Sequence, residues 1–316
     1  MRYIAGSAAI DAPLRRPILT IGNFDGIHLG HRAILDTVVG RSKDLRGQAV
    51  VYTFDPHPRK VLQPERAPLL LTTLEQKLEL LESAGVDAVI VEPFTLEFAK
   101  TSADTFIRDY LLARIRPVEV YVGYDFHFGH DREGSMRMLT EMGPRLGFSV
   151  TIVPEVTVDE GDVNSTRIRE LLAAARLEEA AAMLGRPYTV RGLVVGGDRR
   201  GRTLGFPTAN LDPENEILPG AGVYAGAVRF LDRGDPPRDG EWPAVVNVGT
   251  RPTFHDSSRV VAEAHLIDFD RDLYGRRVEI SFRYHLRPER RFADVDALRE
   301  QIGADVAEGR RRLEVP

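Results

Sequence analysis

Two histidines spaced three residues apart are the first residues whose types suggest chemistry. His28 and His31 follow an apolar run that ends at Asp25-Gly26, and Gly30 stands between them. If a helix begins there, both imidazoles lie on one face of its first turn, where unpaired N–H groups and the helix dipole attract phosphate. Glycine at position 30 lets the backbone approach a ligand closely. The spacing therefore predicts a cradle for a triphosphate, suited to stabilising a leaving pyrophosphate.

A second cluster of this kind begins another predicted helix. Ser165, Thr166 and Arg167 offer two hydroxyls and a guanidinium, which can hold phosphate oxygens together. Each cluster taken alone also fits an ordinary capped helix, with surface histidines in the first case and solvated arginines in the second.

A glycine-rich loop in the second half of the chain is a third candidate. Residues 196–205 form neither a Walker A sequence nor a dinucleotide-binding fingerprint, but their glycines can wrap phosphates with backbone N–H groups. Thr208 and Asn210 follow, and their alternation in an extended segment places both side chains on one face. Their neutral oxygens suit a hydrated Mg²⁺ and a nucleotide.

The elements of the first half must position the histidines. Continuous apolar runs alternate with helical periods, which predicts an α/β domain with a parallel sheet covered on both faces. The predicted strands are 17–24, 48–54, 86–91, 118–122 and 149–153, and the predicted helices are 31–39, 74–84, 103–115 and 136–146. Ligands bind at the carboxyl ends of such strands, where residues 25–26, 55–58 and 123–125 lie.

The pattern changes after residue 185. Asn164 to Leu184 is predicted as one helix, which Gly185-Arg186-Pro187 stops. Short β-rich segments between turns then predict a small antiparallel β-barrel with a C-terminal helix over 298–312. These segments are 188–195, 222–230, 244–248, 260–269 and 277–284, and residues 232–241 are predicted as a hairpin tip. We therefore place the domains at 1–185 and 186–316.

Composition narrows the class of protein. The 316 residues carry a net charge of −5 and no cysteine, which argues against a nucleic-acid footprint and excludes disulfides, thiolate nucleophiles and Cys-based zinc sites. No apolar run approaches a membrane span, and the N-terminus lacks a secretory core. A cytoplasmic enzyme that binds neither nucleic acid nor membrane is expected.

The motifs of the first half resemble a known family. The stretch 22–31 with the later S-T-R-I-R is similar to the HxGH nucleotidylyltransferases, and TFDPHP (53–58) and VGYDFHFG (122–129) resemble the adenylyltransferase half of bacterial bifunctional riboflavin kinase/FAD synthetases. The resemblance implies that His28, His31 and the Ser165–Arg167 cluster contact ATP phosphates. It also implies a nucleotide and flavin pocket formed by Gly22, Phe24, Asp25, Gly30, Phe54, Asp55, Pro56, His57, Pro58, Asp125, Phe126 and Phe128.

The motifs of the second half resemble the riboflavin kinase domain of the same family. The strings that carry it are GRTLGFPTAN (201–210), GVYAG (222–226), NVGTRPTF (247–254), EAHLIDF (263–269), DLYG (272–275) and LRPERRF (286–292). The resemblance implies that Thr208 and Asn210 bind metal and ATP phosphate, and that Glu263 is the catalytic base. Further ligand contacts are implied for Gly197, Gly201, Gly205, Asn247 and Arg287.

The implied activities are phosphorylation of riboflavin to FMN and adenylylation of FMN to FAD, with ATP as co-substrate and Mg²⁺ as cofactor. The FMN phosphate is already ionised and needs no base, so neither Asp25 nor Asp55 is assigned as one. A ribityl hydroxyl, in contrast, benefits from a positioned carboxylate.

The chain departs from the family at His127, Ser135, Gly196 and Arg199. The alternatives are a protein with one inactive half, a flavin-binding regulatory module, or a metal-dependent hydrolase that uses the histidines before residue 131.

Overall fold

A computed structural model describes residues 1–158, 161–196, 205–232, 240–251 and 259–314 of the chain. These residues form two compact units, 1–164 and 165–316. The predicted domain boundary near residue 185 marks the change of sequence pattern, whereas this division follows the packing. The two criteria therefore need not coincide, and the predicted boundary stays a prediction.

The first unit is built on a six-stranded parallel sheet, as the alternating pattern predicts. Its strands run in the order β1-β4-β3-β2-β5-β8. Every residue of β2 is buried, which explains why its sequence is continuously apolar. The strands of this unit are β1 Arg2–Ala5, β2 Pro17–Ile21, β3 Gln48–Asp55, β4 Ala88–Pro93, β5 Glu119–Gly123, β6 His127–Phe128, β7 Gly134–Ser135, β8 Ser149–Val153, β9 Thr157–Val158 and β10 Gly161–Asp162.

The edge strand β1 was not predicted. Its four residues alternate only once between exposed and buried positions, which is too short a pattern to separate from a loop. In the structure β1 pairs in parallel with β4, with Arg2 opposite Ala88 and Ala5 opposite Val91. It therefore completes the sheet on the side away from β8.

The helices of the first unit cover the sheet. The predicted helix 103–115 is a single α-helical turn followed by a π-helix, whose wider spacing an apolar pattern in the sequence does not distinguish. The helices are α1 Leu29–Asp44, α2 Pro58–Leu62, α3 Leu74–Ser83, α4 Ala103–Thr105, the π-helix Phe106–Ile115 and α5 Met136–Leu146, with 3₁₀ turns at Ser7–Ala9, Pro64–Arg66, Phe98–Lys100 and His130–Arg132.

The strand order locates the ligand-binding edge. Strand β2 lies between β3 and β5, so the chain leaves β2 towards one side of the sheet and later returns to β5 on the other. Connections that diverge in this way open a crevice at the carboxyl ends of the strands. The loops after β2, β3 and β5 all begin at that edge.

The second unit begins with two helices, α6 Ser165–Ala173 and α7 Leu177–Leu184, so the prediction of one continuous helix was wrong. Ala175 has a left-handed φ of 58°, which turns the chain between them. The carbonyl of Leu172 accepts a hydrogen bond from Gly220 N at 2.9 Å, which occupies the end of α6. Local hydrogen bonds close the end of α6, from Arg176 N to Leu171 O at 2.9 Å and from Ala175 N to Leu172 O at 3.1 Å, and no glycine or proline marks this break.

The rest of the second unit is a closed six-stranded barrel, as predicted. Its order is β11-β12-β15-β14-β13-β16, with β16 closing onto β11, and every pairing is antiparallel. Strand β12 was expected only as an extended segment. The strands are β11 Tyr188–Val195, β12 Ala209–Pro213, β13 Gly222–Phe230, β14 Glu241–Arg251, β15 Arg259–Leu266 and β16 Arg277–Arg287.

The C-terminal helix α8, Val295–Arg312, packs against the outside of the barrel. It begins three residues earlier than predicted because Asp294 caps it by accepting a hydrogen bond from Ala297 N at 2.8 Å. A side chain at Gly309 would lie 2.8 Å from Val245, so glycine lets the helix approach β14 closely.

The predicted hairpin tip 232–241 lies mostly outside the described residues. Among the helices that the structure describes, none is long and apolar enough to cross a membrane.

Candidate active sites

The turn between β2 and α1 places the two histidines together. His28 is the N-cap of α1, and its Nδ1 accepts a hydrogen bond from the backbone N–H of His31 at 3.3 Å. The two rings stack with their centroids 3.8 Å apart and their planes 19° from parallel. The accepting Nδ1 of His28 leaves its proton on Nε2. The shared face that the spacing predicts is therefore present at the edge where ligands bind.

The backbone of this turn is strained. Phe24, Gly26 and Ile27 have φ angles of 48°, 81° and 40°. A non-glycine residue in this region costs about 1–3 kcal/mol, so the surrounding contacts must hold Phe24 and Ile27 there. Both side chains are 1% exposed, and a side chain at Gly26 would lie 2.7 Å from Leu71 Cδ1.

Asp25 supplies one of those contacts. Its carboxylate is 3% exposed and accepts hydrogen bonds from Leu71 N at 3.0 Å and Thr72 N at 3.3 Å. The Thr72 hydroxyl also accepts from Gly26 N at 3.3 Å. The structure thus shows Asp25 fastening the turn to segment 71–72, and its implied contact with a ligand stays a prediction.

Gly30 and Phe24 both shape the surroundings of the histidines. A side chain at Gly30 would lie 3.1 Å from the ring of His28 and 3.4 Å from the carbonyl of Val163, so glycine makes room for the ring itself. The Phe24 ring packs 5.1 Å from the ring of His31. A side chain at Gly22 would in turn lie 3.2 Å from Phe24. The two glycines thus leave room for the rings of Phe24 and His28, and Phe24 packs against His31.

His31 favours its neutral form. Burial is the main cause that lowers its pKa well below the ordinary value of 6.5, and electrostatic interactions with His28 and Lys77 lower it further. Its Nδ1 is buried and has no hydrogen-bond partner among the described residues. A neutral imidazole still donates one hydrogen bond, and bound phosphate charge would raise the pKa of His31 again.

The lowered pKa of His31 predicts a pH dependence of stability. Below the ordinary value of 6.5 the unfolded chain binds a proton at this position more readily than the folded chain. The free energy of unfolding should therefore fall as the pH drops from 6.5 towards the lowered pKa, and the His31→Gln variant should lose less. Urea unfolding of both proteins between pH 7.5 and 5 measures the difference. Parallel curves would contradict the prediction.

An aromatic cluster lines the same edge of the sheet. Phe54 is the next-to-last residue of β3 and packs edge-on against Phe94 with 5.7 Å between centroids, while Phe126 stacks on Phe128 at 5.5 Å after β5. The sequence motifs identified Phe54, Phe126 and Phe128 but missed the rest, although the density of aromatic residues in 94–110 was a usable signal. The added members are Phe94, Phe98, Phe106 and Tyr110.

The two remaining loops of this edge are ordered by local contacts. His57 caps α2 by accepting a hydrogen bond from Arg59 N at 3.2 Å, with Pro58 at the first helical position. The preceding Asp55-Pro56 peptide bond is cis. After β5, Asp125 is exposed, and its carbonyl lies 2.8 Å from Nδ1 of His127. The loops place exposed carboxylates beside the aromatic cluster.

Lys77 is a residue of this site that sequence reasoning missed. It lies on α3, is 7% exposed, and donates a hydrogen bond from Nζ to the carbonyl of Asn23 at 2.9 Å. Burial lowers the pKa of Lys77, while the charges of Asp25 and Asp55 oppose that shift. Nothing in the helical period of α3 marks this lysine as different from a solvated one.

Ser165, Thr166 and Arg167 form the first turn of α6, in the second unit. The hydroxyls and the guanidinium therefore stand at a helix start, as predicted. Their assignment to ATP phosphates rests on the resemblance and stays a prediction.

The barrel brings together three of the predicted kinase residues. Asn210 on β12 is directly opposite Glu263 on β15, which is directly opposite Asn247 on β14. Opposite residues of antiparallel strands project to the same side with their Cβ atoms about 4.5–5.5 Å apart. All three are half-buried, whereas the neighbouring Ala262 and Ala264 are buried and Ala264 lines the barrel interior. Glu263 thus lies between two amides on the outer face.

Thr208 leads into this row. It is half-buried and immediately precedes β12. Its hydroxyl therefore comes two residues before the amide of Asn210 along the extended chain. The chain before it is held by His265, whose Nδ1 donates to the carbonyl of Pro207 at 2.8 Å. Gly205 has a φ of 88°, which favours glycine. Neutral oxygens beside one carboxylate fit Mg²⁺ that keeps waters and nucleotide phosphates as its other ligands.

Arg287 forms an ion pair with Asp305 of α8. Its guanidinium donates to both carboxylate oxygens of Asp305, with Nη2 2.7 Å from Oδ2 and Nε 2.9 Å from Oδ1. Asp305 is buried, so this bidentate pair fixes the helix to the end of β16. Its predicted ligand contact stays a prediction. Gly197 and Gly201, with the departure Arg199, lie outside the described residues.

Comparison with protein families divides the chain in the same way. The family model described as FAD synthetase matches residues 11–167, and the model described as riboflavin kinase matches residues 184–313. Residues 28, 31, 54–58 and 125–128 lie in the first match. Residues 208, 210, 247, 263 and 287 lie in the second.

Several relatives align with almost the whole chain. The bifunctional riboflavin kinase/FMN adenylyltransferase of Escherichia coli K12 is 40% identical over 93% of this chain and 92% of its own. The protein of the same name from Pseudomonas fluorescens is 38% identical over 98% of this chain and 97% of its own. A crystal structure described as a macrolide-efflux protein from Streptococcus pneumoniae is 29% identical and covers 98% of both chains with a TM-score of 0.87. That last description belongs to that protein, and the likeness supports the fold.

Proposed function

This chain belongs to the bifunctional riboflavin kinase/FMN adenylyltransferase family, and from that membership we propose how its residues divide the two reactions. The N-terminal unit converts FMN to FAD with ATP and releases pyrophosphate. The C-terminal unit phosphorylates riboflavin to FMN. The substrates are therefore riboflavin, FMN and ATP. The proposals below concern the residues, the metal ion and the location in the cell.

At the N-terminal site we assign His28 and His31 to the ATP phosphates. The attacking group is an ionised phosphate oxygen of FMN, so the site must align it and stabilise the charge of the five-coordinate transition state. Stacked imidazoles at the start of α1, together with its N–H groups, provide hydrogen-bond donors for that charge. From the family resemblance, Ser165, Thr166 and Arg167 are also proposed to contact ATP phosphates.

The aromatic cluster beside the histidines is proposed to receive the flavin ring. Phe54 lies in β3 and Phe126 and Phe128 follow β5, and a planar isoalloxazine stacks favourably on such faces. Asp55 and Asp125 stand at its exposed rim, where carboxylates can accept hydrogen bonds from ribityl or ribose hydroxyls.

At the C-terminal site we assign Glu263 as the general base. The single observation that carries this proposal is the cross-strand row in which Glu263 stands between Asn210 and Asn247. A carboxylate there can take the proton of the ribityl hydroxyl as it attacks the γ-phosphate of ATP. Thr208 and Asn210 would hold Mg²⁺, which neutralises phosphate charge when bound. A cytoplasmic location remains the expectation from composition.

Incubation with riboflavin, ATP and MgCl₂ tests the whole proposal. Chromatography of the flavins should show FMN first and FAD second, with pyrophosphate released in step with FAD. A matched reaction that starts from FMN isolates the second activity. FMN without FAD would mean that the N-terminal half is inactive. Binding of flavin with neither product would leave the regulatory module as the function, and omission of Mg²⁺ should stop both steps.

A further inference from the structure

We propose that Lys77 is a positioning residue for adenylyl transfer, because its buried ammonium holds the Asn23 carbonyl and thereby the turn that presents His28 and His31. This inference rests on the proposed function of the N-terminal site. Lys77 belongs to helix α3, outside the motifs that identify the family in this chain.

The first support is the way in which one segment clamps both ends of the strained turn. Segment 71–72 holds Asp25 and Gly26 through the hydrogen bonds described above. Five residues later, Lys77 holds the carbonyl of Asn23 at 2.9 Å, and the Thr53 hydroxyl donates to the same carbonyl at 3.2 Å. Phe24 thus lies between anchored residues, Gly26 is itself anchored, and Ile27 follows directly.

The second support is that α3 is itself firmly placed. Thr73 and Gln76 form a reciprocal capping box, with Gln76 N 3.2 Å from the Thr73 hydroxyl and Thr73 N 3.0 Å from the Gln76 amide oxygen. The backbone N–H of Lys77 donates to Thr73 O at 3.0 Å. Its side chain therefore projects from a fixed helical turn, so its hydrogen bond can hold the Asn23 carbonyl in place.

The third support is the charge. A methionine could fill the same space but could not donate to the Asn23 carbonyl, and a buried ammonium is expensive unless charges compensate it. The negative charges of Asp25 and Asp55 stabilise the Lys77 ammonium. The charge of Lys77 in turn lowers the pKa of His31, as does His28. The ammonium therefore both fixes the turn and disfavours protonation of His31.

The test compares Lys77→Met with Lys43→Met, which removes an exposed lysine from the last turn of α1. With FMN, ATP and Mg²⁺, Lys77→Met should lower kcat for FAD about 10–100-fold through misplacement of the histidines. The KM for FMN should change little. FMN formation from riboflavin by the same molecules serves as an internal control and should be unchanged, as should both reactions in Lys43→Met.

The pH profile separates positioning from simple packing. In the free enzyme, loss of the positive neighbour raises the pKa of His31, so the acidic limb of kcat/KM should move to higher pH in Lys77→Met and stay in place in Lys77→Arg. Unchanged kcat in Lys77→Met would overturn the inference, and so would a lower kcat with an unmoved acidic limb. Failure of the unaltered protein to make FAD would instead refute the proposed function.

A chemical variant covers the case in which Lys77→Met does not fold. The chain contains no cysteine, so Lys77→Cys introduces a single thiol. Alkylation in denaturant with 2-bromoethylamine restores an ammonium of similar reach, whereas iodoacetamide adds a neutral amide. After refolding, FAD formation should recover only in the aminoethylated protein. Equal activity of the two alkylated forms would overturn the inference.

Discussion

Replacement of Glu263 by glutamine is expected to abolish FMN formation from riboflavin while FAD formation from supplied FMN continues at the unaltered rate. A positioned general base contributes about 10²–10⁴-fold to a proton transfer, so FMN formation should fall by that factor. Glutamine keeps the size of the side chain and its place between Asn210 and Asn247, so the barrel should remain intact. Chromatography of the flavins from both assays measures the separation.

A matched variant on the same barrel is Glu241→Gln. Glu241 begins β14, is exposed, and pairs with Arg283 at 2.6 Å. An exposed ion pair contributes about 0–1 kcal/mol, so its loss should leave both reactions and the melting temperature nearly unchanged. If Glu263→Gln formed FMN as fast as this control, Glu263 would not be the base.

Replacement of both His28 and His31 by alanine is expected to give the opposite result: riboflavin should be converted to FMN, and FMN should accumulate without FAD. Removal of one donor to a developing charge costs about 10²–10³-fold, and the stacked pair should cost at least that. FAD formation from FMN and ATP, measured with pyrophosphate release, reports the loss.

The cap function of His28 calls for a second variant. His28 caps α1, and its loss to alanine removes about 1 kcal/mol of helix stability, whereas asparagine is a strong N-cap residue. His28→Asn should therefore retain the melting temperature and still lose FAD formation. If the double alanine variant lost both reactions while folded, the assignment of one reaction to each unit would be wrong.

Local patterns were sufficient for most of the fold. Strands such as Tyr188–Val195 and Gly222–Phe230 have bounds that turns and alternation already mark. The failures have two causes. The break after α6 is a left-handed turn at Ala175 that neither glycine nor proline marks, and the short strand β1 forms by pairing with the distant β4. Neither the turn nor the partner of β1 is visible in the pattern of neighbouring residues.

The candidate sites were predictable to a similar degree. The spacing of His28 and His31 and the order Thr208, Asn210, Glu263 came from motifs, and the structure adds the register that aligns Glu263 with Asn210. Lys77 was missed because burial, rather than its place in α3, distinguishes it from other lysines. Only tertiary packing brings its ammonium to Asn23.

The pairing of β1 with β4 has a consequence for synthesis on the ribosome. Arg2 leaves the ribosome well before its partner Ala88, which follows only after β2, β3 and three helices have been made. Until then the edge of β1 has no strand to join, and such long-range pairings form slowly. Nascent chains stalled before and after β4 has left the exit tunnel should therefore differ sharply in their resistance to protease near β1.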